Sequence, residues 1–121
     1  MRYMYLIYTT PEMAAAPPPA RLMEEIGKLS AAQTKMLSGG GLTTIDRSVR
    51  ASVKGGKLTL TDGPFAESKE VMGGYAIFEH ETREEAIESM RQFMELHRLY
   101  GDGWEGVCEM REMMDGPPAH A

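Results

Sequence analysis

The chain opens on a run, Met1 to Tyr8, whose apolar side chains occupy both parities, Tyr3, Tyr5 and Ile7 on one and Met4, Leu6 and Tyr8 on the other. Such a pattern predicts a strand that needs cover on both faces. Thr9 to Pro19 contains Pro11, Pro17, Pro18 and Pro19. Prolines withhold backbone donors and disfavour helix in the residues before them, so a loop leading to a helix start is expected here. From Ala20 to Ser38 the positions Leu22, Ile26, Leu29, Ala32 and Met36 recur at three- and four-residue spacing and predict a helix with one apolar stripe. Gly39-Gly40-Gly41 is expected to stop it, because glycine adopts left-handed C-terminal conformations without steric cost. A phosphate cradle is not expected from these glycines, which follow a helix and lack a Lys-Ser/Thr after them.

Leu42 to Ile45 predicts a short strand, with a turn or bulge at Asp46-Arg47. Gly55-Gly56, set between Lys54 and Lys57, is a two-residue hairpin turn of the kind that needs positive φ. Centring the hairpin there pairs Val53 with Leu58 and Ala51 with Leu60 on an apolar face, and Ser52 with Thr59 and Arg50 with Thr61 on a polar one. The same register sets Asp62 opposite Val49 at the open end, beside Arg50. Gly74 to Glu79 is a second strand with apolar residues on both parities, Tyr75 and Ile77 against Ala76 and Phe78. Thr82 and Glu85 form a capping-box pattern that opens a helix to about Tyr100. Its stripe is Ala86, Met90, Phe93, Met94 and His97. Gly101-Asp102-Gly103 ends it, and Trp104 to Met113 predicts a last strand with Cys108 and Met110 inward and Glu109 and Arg111 outward.

The order strand, helix, hairpin region, strand, helix, strand describes an α+β ferredoxin-like sandwich with an inserted β-hairpin and both helices on one sheet face. One domain is expected over residues 1–114, with 115–121 a loose tail. The strands that are apolar on both parities then leave one sheet face uncovered. A second copy, sheet against sheet, is its simplest cover, giving a homodimer of the dimeric α/β-barrel type.

Composition narrows the partners. A formal net charge of -5, with no Lys/Arg cluster, argues against nucleic acid and against anionic membrane surfaces. The opening apolar run is too short for a signal peptide or a membrane span. Cys108 is the only cysteine, so no intrachain disulfide forms and a cytoplasmic location is expected.

Candidate chemistry concentrates between Thr61 and Tyr75. Asp62, at the mouth of the hairpin, is placed to act as a general base or to bind a polar ligand group; an aspartate before Gly-Pro equally hydrogen-bonds its own turn. Glu67, Lys69 and Glu70 alternate in sign, as around an acidic or enol-like substrate or on a solvated loop. Arg50 is a salt-bridge partner for Asp62 or an anion hook. Phe65 is a pocket wall or a hydrophobic plug. The Tyr75 hydroxyl starts the next strand within reach of the same place. His97, on an apolar stripe, reads as a core-edge histidine rather than a catalyst. Asp62, Glu67 and Glu70 would suit only a hard cation and have no histidine beside them, so neither a metal nor a cofactor is assigned.

The run Thr-Asp-Gly-Pro-Phe-Ala-Glu-Ser-Lys-Glu at 61–70, followed by Gly-Gly-Tyr at 73–75, closely resembles the signature of the DGPF family, a branch of the YCII-related proteins. The similarity runs from the opening strand to Glu109-Met110-Arg111. It implies a bacterial protein with a ferredoxin-like fold that dimerises through its sheets. It also implies a family activity that is unsettled, often encoded beside extracytoplasmic-function sigma factors. Related proteins carry a histidine in the first helix that is thought to pair with an aspartate, and the predicted first helix here has none. Two functions are therefore carried forward, with enzymatic activity left open. The first is a homodimer that binds a small polar or anionic molecule, with acid–base chemistry at Asp62. The alternative is a non-catalytic regulatory or interaction module linked to sigma-factor signalling.

Overall fold

A computed structural model describes residues 1–32, 35–65 and 69–114. Strand β1 (Arg2–Thr9) holds the central place that its two apolar parities call for. It pairs antiparallel with β5 (Val71–Glu79) on one side and β6 (Gly106–Glu112) on the other. Tyr3 and Tyr5 are fully buried, and Phe78 and Ala76 face them across the ladder. The Tyr5 and Phe78 rings stack at 4.9 Å between centroids. Helix α3 (Arg83–Tyr100) covers this cluster, fixed by a buried 2.7 Å hydrogen bond from the Tyr5 hydroxyl to the Ala86 carbonyl. A buried phenol needs such a partner, so the bond sets where the helix sits along the strand.

The capping pattern predicted for α3 is present in a shifted form. The Thr82 hydroxyl accepts from the Glu85 amide at 3.1 Å, while the Glu85 carboxylate reaches past the cap to the Glu81 amide at 3.3 Å. Several predictions for the first half of the chain are corrected. Thr10 and Pro11 start a short helix, α1 (Pro11–Ala15), inside the expected loop. The Thr10 hydroxyl accepts from the Met13 amide at 3.2 Å and Pro11 occupies a first-turn position where no amide is needed. The following helix, α2 (Ala20–Ala32), stops short of the predicted Ser38, and Met36–Gly41 forms strand β2 instead.

The glycines thus belong to a strand rather than to a helix terminus. Strand β2 pairs antiparallel with β5, Gly39 with Ala76, Gly40 with Tyr75 and Gly41 with Gly74. A β-carbon on Gly39 would stand 3.0 Å from the Tyr75 carbonyl and 3.2 Å from the Ala76 α-carbon, so the close approach of the two strands is what requires glycine there. No strand forms over 42–45; a turn of 3-10 helix, Ile45–Arg47, follows. The sheet order is β2-β5-β1-β6, with α2 beside α3 on the face of Tyr3 and Tyr5.

On the opposite face Met4, Leu6, Tyr8, Tyr75 and Ile77 form an apolar surface, with Met4 opposite Ile77 and Leu6 opposite Tyr75. Among the described residues no helix covers them. Strands β3 (Val49–Lys54) and β4 (Lys57–Asp62) form a separate two-stranded sheet in the register their turn dictates, Val53 with Leu58 and Val49 with Asp62. Gly55 and Gly56 supply the positive φ, at 58° and 76°. Every residue of the two strands is exposed, Val53 at 76% and Leu60 at 69%. No helix among the described residues is long and apolar enough to cross a membrane.

Candidate functional site

Between the helices and the β2–β5 half of the sheet lies a cavity of about 550 Å³. It follows from what the sequence omits. On the helix side of β2 and β5 the paired positions are Gly39 with Ala76 and Gly41 with Gly74, so the sheet there has almost no side chains to fill the space under the helices. Leu22, Ile26 and Leu29 of α2 form one wall, Phe93 and His97 of α3 another, and Trp104 closes an end. Met13 of α1 and Pro17 to Pro19 also line it. The lining is mainly apolar and its volume falls in the range of ligand sites.

His97 is the most buried ionisable side chain of the lining, 8% exposed. Its Nδ1 lies 3.0 Å from the Phe93 carbonyl. A carbonyl only accepts, so Nδ1 carries the proton and Nε2 is left as a lone pair. The ring is held between Phe93 and Trp104, each 4.7 Å away between centroids. Burial pushes its pKa down and the bond to the Phe93 carbonyl opposes this only in part, which keeps the ring neutral at pH 7. Thr9, also buried, donates its hydroxyl to the Glu105 carbonyl at 2.8 Å.

Apart from His97, the described candidate residues do not gather at this cavity. Arg50 and Asp62 point to opposite faces of the hairpin, Arg50 paired with Thr61 on the polar face and Asp62 with Val49 on the apolar one. The Arg50 guanidinium lies 3.6 Å over the Phe65 ring, a cation–π contact. Asp62 and Lys69 are exposed. Tyr75 borders the cavity through its strand, but its parity sends the side chain to the open face, where its hydroxyl is 3.4 Å from the Ser38 hydroxyl. Glu67 lies outside the described residues. Gly63, within the motif, has a packing reason to be glycine: its amide donates to the Ser48 carbonyl at 2.7 Å and a β-carbon would collide with the Ile45 carbonyl. The cavity lining was legible only as a pairing of glycines across two strands, which no local motif announces.

Cys108 packs half-buried against the core, where burial pushes its thiol up to about 11 and keeps it protonated. Among the described residues no group of three or more His, Cys, Asp and Glu side chains gathers as a metal site.

His80 is a second buried imidazole, 6% exposed, with no hydrogen-bond partner on either ring nitrogen among the described residues. It packs against Phe78 and Tyr3. Burial lowers its pKa first, with Lys35 and the N-terminus acting the same way and Glu85, 3.9 Å from Nδ1, opposing them. Both histidines therefore bind protons less readily folded than unfolded, so stability is full above the unfolded value of about 6.5 and is lost as pH falls below it through the folded-state values. Urea unfolding is expected to shift to lower midpoints between pH 7.5 and 5.5, above the range in which carboxylates titrate. The shift should shrink in a His80→Phe, His97→Phe variant, and a flat wild-type profile would show that the histidines charge freely in the fold.

The family model of the YCII-related domain matches residues 1–103 of the chain. No curated protein matches it.

Proposed function

The chain belongs to the YCII-related family, and from that premise we propose that it is a homodimeric small-molecule-binding protein of the DGPF branch. The signature at 61–75 supports the branch. The sheet order β2-β5-β1-β6, with α2 and α3 in its two long crossovers, supports a ferredoxin-like protomer. The apolar face of Met4, Leu6, Tyr8, Tyr75 and Ile77 supports pairing of two sheets, as in dimeric α/β barrels. A single cysteine suits a reducing cytoplasm.

The observation that carries ligand binding is the cavity floored by Gly39, Gly41, Gly74 and Ala76. Its lining favours an apolar molecule with few polar groups over the anionic one suggested by the motif charges. Asp62 keeps a separate place in the proposal. Its carboxylate shares a hairpin face with Val49, Ala51, Val53, Leu58 and Leu60, so a second copy covering that face would desolvate it and enclose it beside apolar surface, where it could act as a general base. An interaction module tied to sigma-factor signalling is the second reading, favoured by the exposed apolar residues of the hairpin and by the lack of a histidine in α2.

A thermal-shift screen with neutral aromatic and alicyclic compounds tests the cavity. Gly41→Leu is its control, because a β-carbon there meets nothing closer than the Gly73 carbonyl at 3.8 Å and the longer side chain enters the empty space. Compounds at 100 times their dissociation constant should stabilise the wild type by about 2.7 kcal/mol and leave Gly41→Leu unmoved. Equal stabilisation of both proteins, or none of the wild type, would remove the cavity as a binding site and favour the interaction module.

A further inference from the structure

We propose that the cavity takes neutral, largely apolar molecules carrying one acidic hydroxyl, of the phenol or enol class, and that His97 accepts the hydroxyl's hydrogen bond at Nε2. This rests on the small-molecule reading and specifies its ligand.

The Phe93 carbonyl fixes the tautomer by accepting the Nδ1–H hydrogen bond, and contacts with the Phe93 and Trp104 rings keep the imidazole from turning. Both of these neighbours line the cavity, as His97 itself does. Nε2 has no hydrogen-bond partner among the described residues, on a buried side chain that lines the cavity. A buried acceptor without a partner costs free energy that a ligand donor recovers.

The rest of the lining selects the charge state of that donor. No lysine or arginine is among the described residues that line the cavity, so a carboxylate or phosphate would be desolvated without compensation. The one carboxylate among the described lining residues, Asp102, is exposed, so an ammonium group would be no better placed beside His97. Thr9 cannot donate without giving up its bond to the Glu105 carbonyl. A neutral hydroxyl meets each condition, and an acidic one makes the stronger hydrogen bond to an imidazole lone pair. The apolar remainder of the ligand would lie over the glycine floor, against Leu22 and Ile26.

The test uses matched pairs, p-cresol with p-xylene and 2-naphthol with 2-methylnaphthalene, titrated into the full chain by calorimetry and followed by ¹⁵N-histidine NMR. In the wild type each phenol should bind about tenfold more tightly than its methyl partner, the worth of one good hydrogen bond. Only the phenols should move the Nε2 resonance of His97. His97→Phe should erase the preference while leaving the hydrocarbons bound. The spectra of the wild type decide the matter even if that variant folds poorly. Equal binding of both members of each pair, or phenol binding without a change at Nε2, overturns the role of His97 and leaves the cavity as a binding site. Binding of no member of either pair, with His97 unperturbed throughout, overturns the ligand assignment and the small-molecule reading together.

Discussion

Tyr5→Ala is expected to lower the unfolding free energy by about 4 kcal/mol, the usual cost of removing a buried aromatic side chain. Tyr5 is fully buried, stacks on Phe78, and ties β1 to α3 through the Ala86 carbonyl. Deleting the ring opens a void in the layer that joins sheet and helices and also removes the bond that sets the helix's position. Tyr5→Phe keeps the ring and loses only the hydroxyl, for about 1 kcal/mol. Since domains are stable by only about 5–15 kcal/mol, the alanine variant should unfold at far lower urea, with the phenylalanine variant close to wild type. If the alanine variant lost less than the phenylalanine variant is expected to, the helix layer would have to be held mainly by other contacts.

The parts of the fold that were legible are those whose signals are local. The alternation around Gly55-Gly56 sets the hairpin register because two glycines at positive φ leave one way to close it. Thr82 and Glu85 mark the start of α3 because a helix end has amides to satisfy within one turn. Strand β2 was not legible for the converse reason. Met36-Leu37-Ser38-Gly39-Gly40-Gly41 has a helical spacing before it and little strand propensity within it, and only the presence of β5 gives its backbone groups a ladder to join. Tertiary pairing outweighs the local preference. Strand β5 starts earlier than the expected Gly74, at Val71, because a register shift between Ile7 and Tyr8 lets Thr9 pair with Val71.

The candidate site divides along the same line. Charged and turn-forming residues drew attention to the motif, yet Gly63 is explained by contact with the Ile45 carbonyl and Arg50 rests on Phe65. His97 was visible on the apolar stripe, but a stripe alone cannot tell a histidine packed against side chains from one beside empty space. That difference lies in Gly41 and Gly74, which are distant in sequence and adjacent across a ladder. A cavity is written in missing side chains, and absence has no periodicity.

Leu6→Glu is expected to convert a dimer into a monomer. Leu6 stands opposite Tyr75 and Glu109 on the sheet face away from the helices, with Met4 and Tyr8 of its own strand and Ile77 nearby. In one chain alone a carboxylate there would reach solvent, at the small cost of standing across the ladder from Glu109, so the protomer should keep its fold with an unfolding midpoint only slightly lowered at high dilution. In a two-fold dimer the same substitution enters the interface twice, placing two like charges where apolar surface is removed from water. About 3 kcal/mol in total, on the low side for buried unpaired charges, weakens association more than a hundredfold. Sedimentation equilibrium should give the wild type twice the 13.4 kDa chain mass and the variant a single chain mass over the same concentrations. Leu58→Ser with Leu60→Ser separates the two exposed apolar surfaces, because it removes the hairpin's apolar side chains without touching the sheet. If the hairpin variant dissociates and Leu6→Glu does not, copies associate through the hairpin; if both stay dimeric, neither surface is the interface. A wild type of single chain mass would leave the sheet face open in solution and withdraw the means by which Asp62 is desolvated.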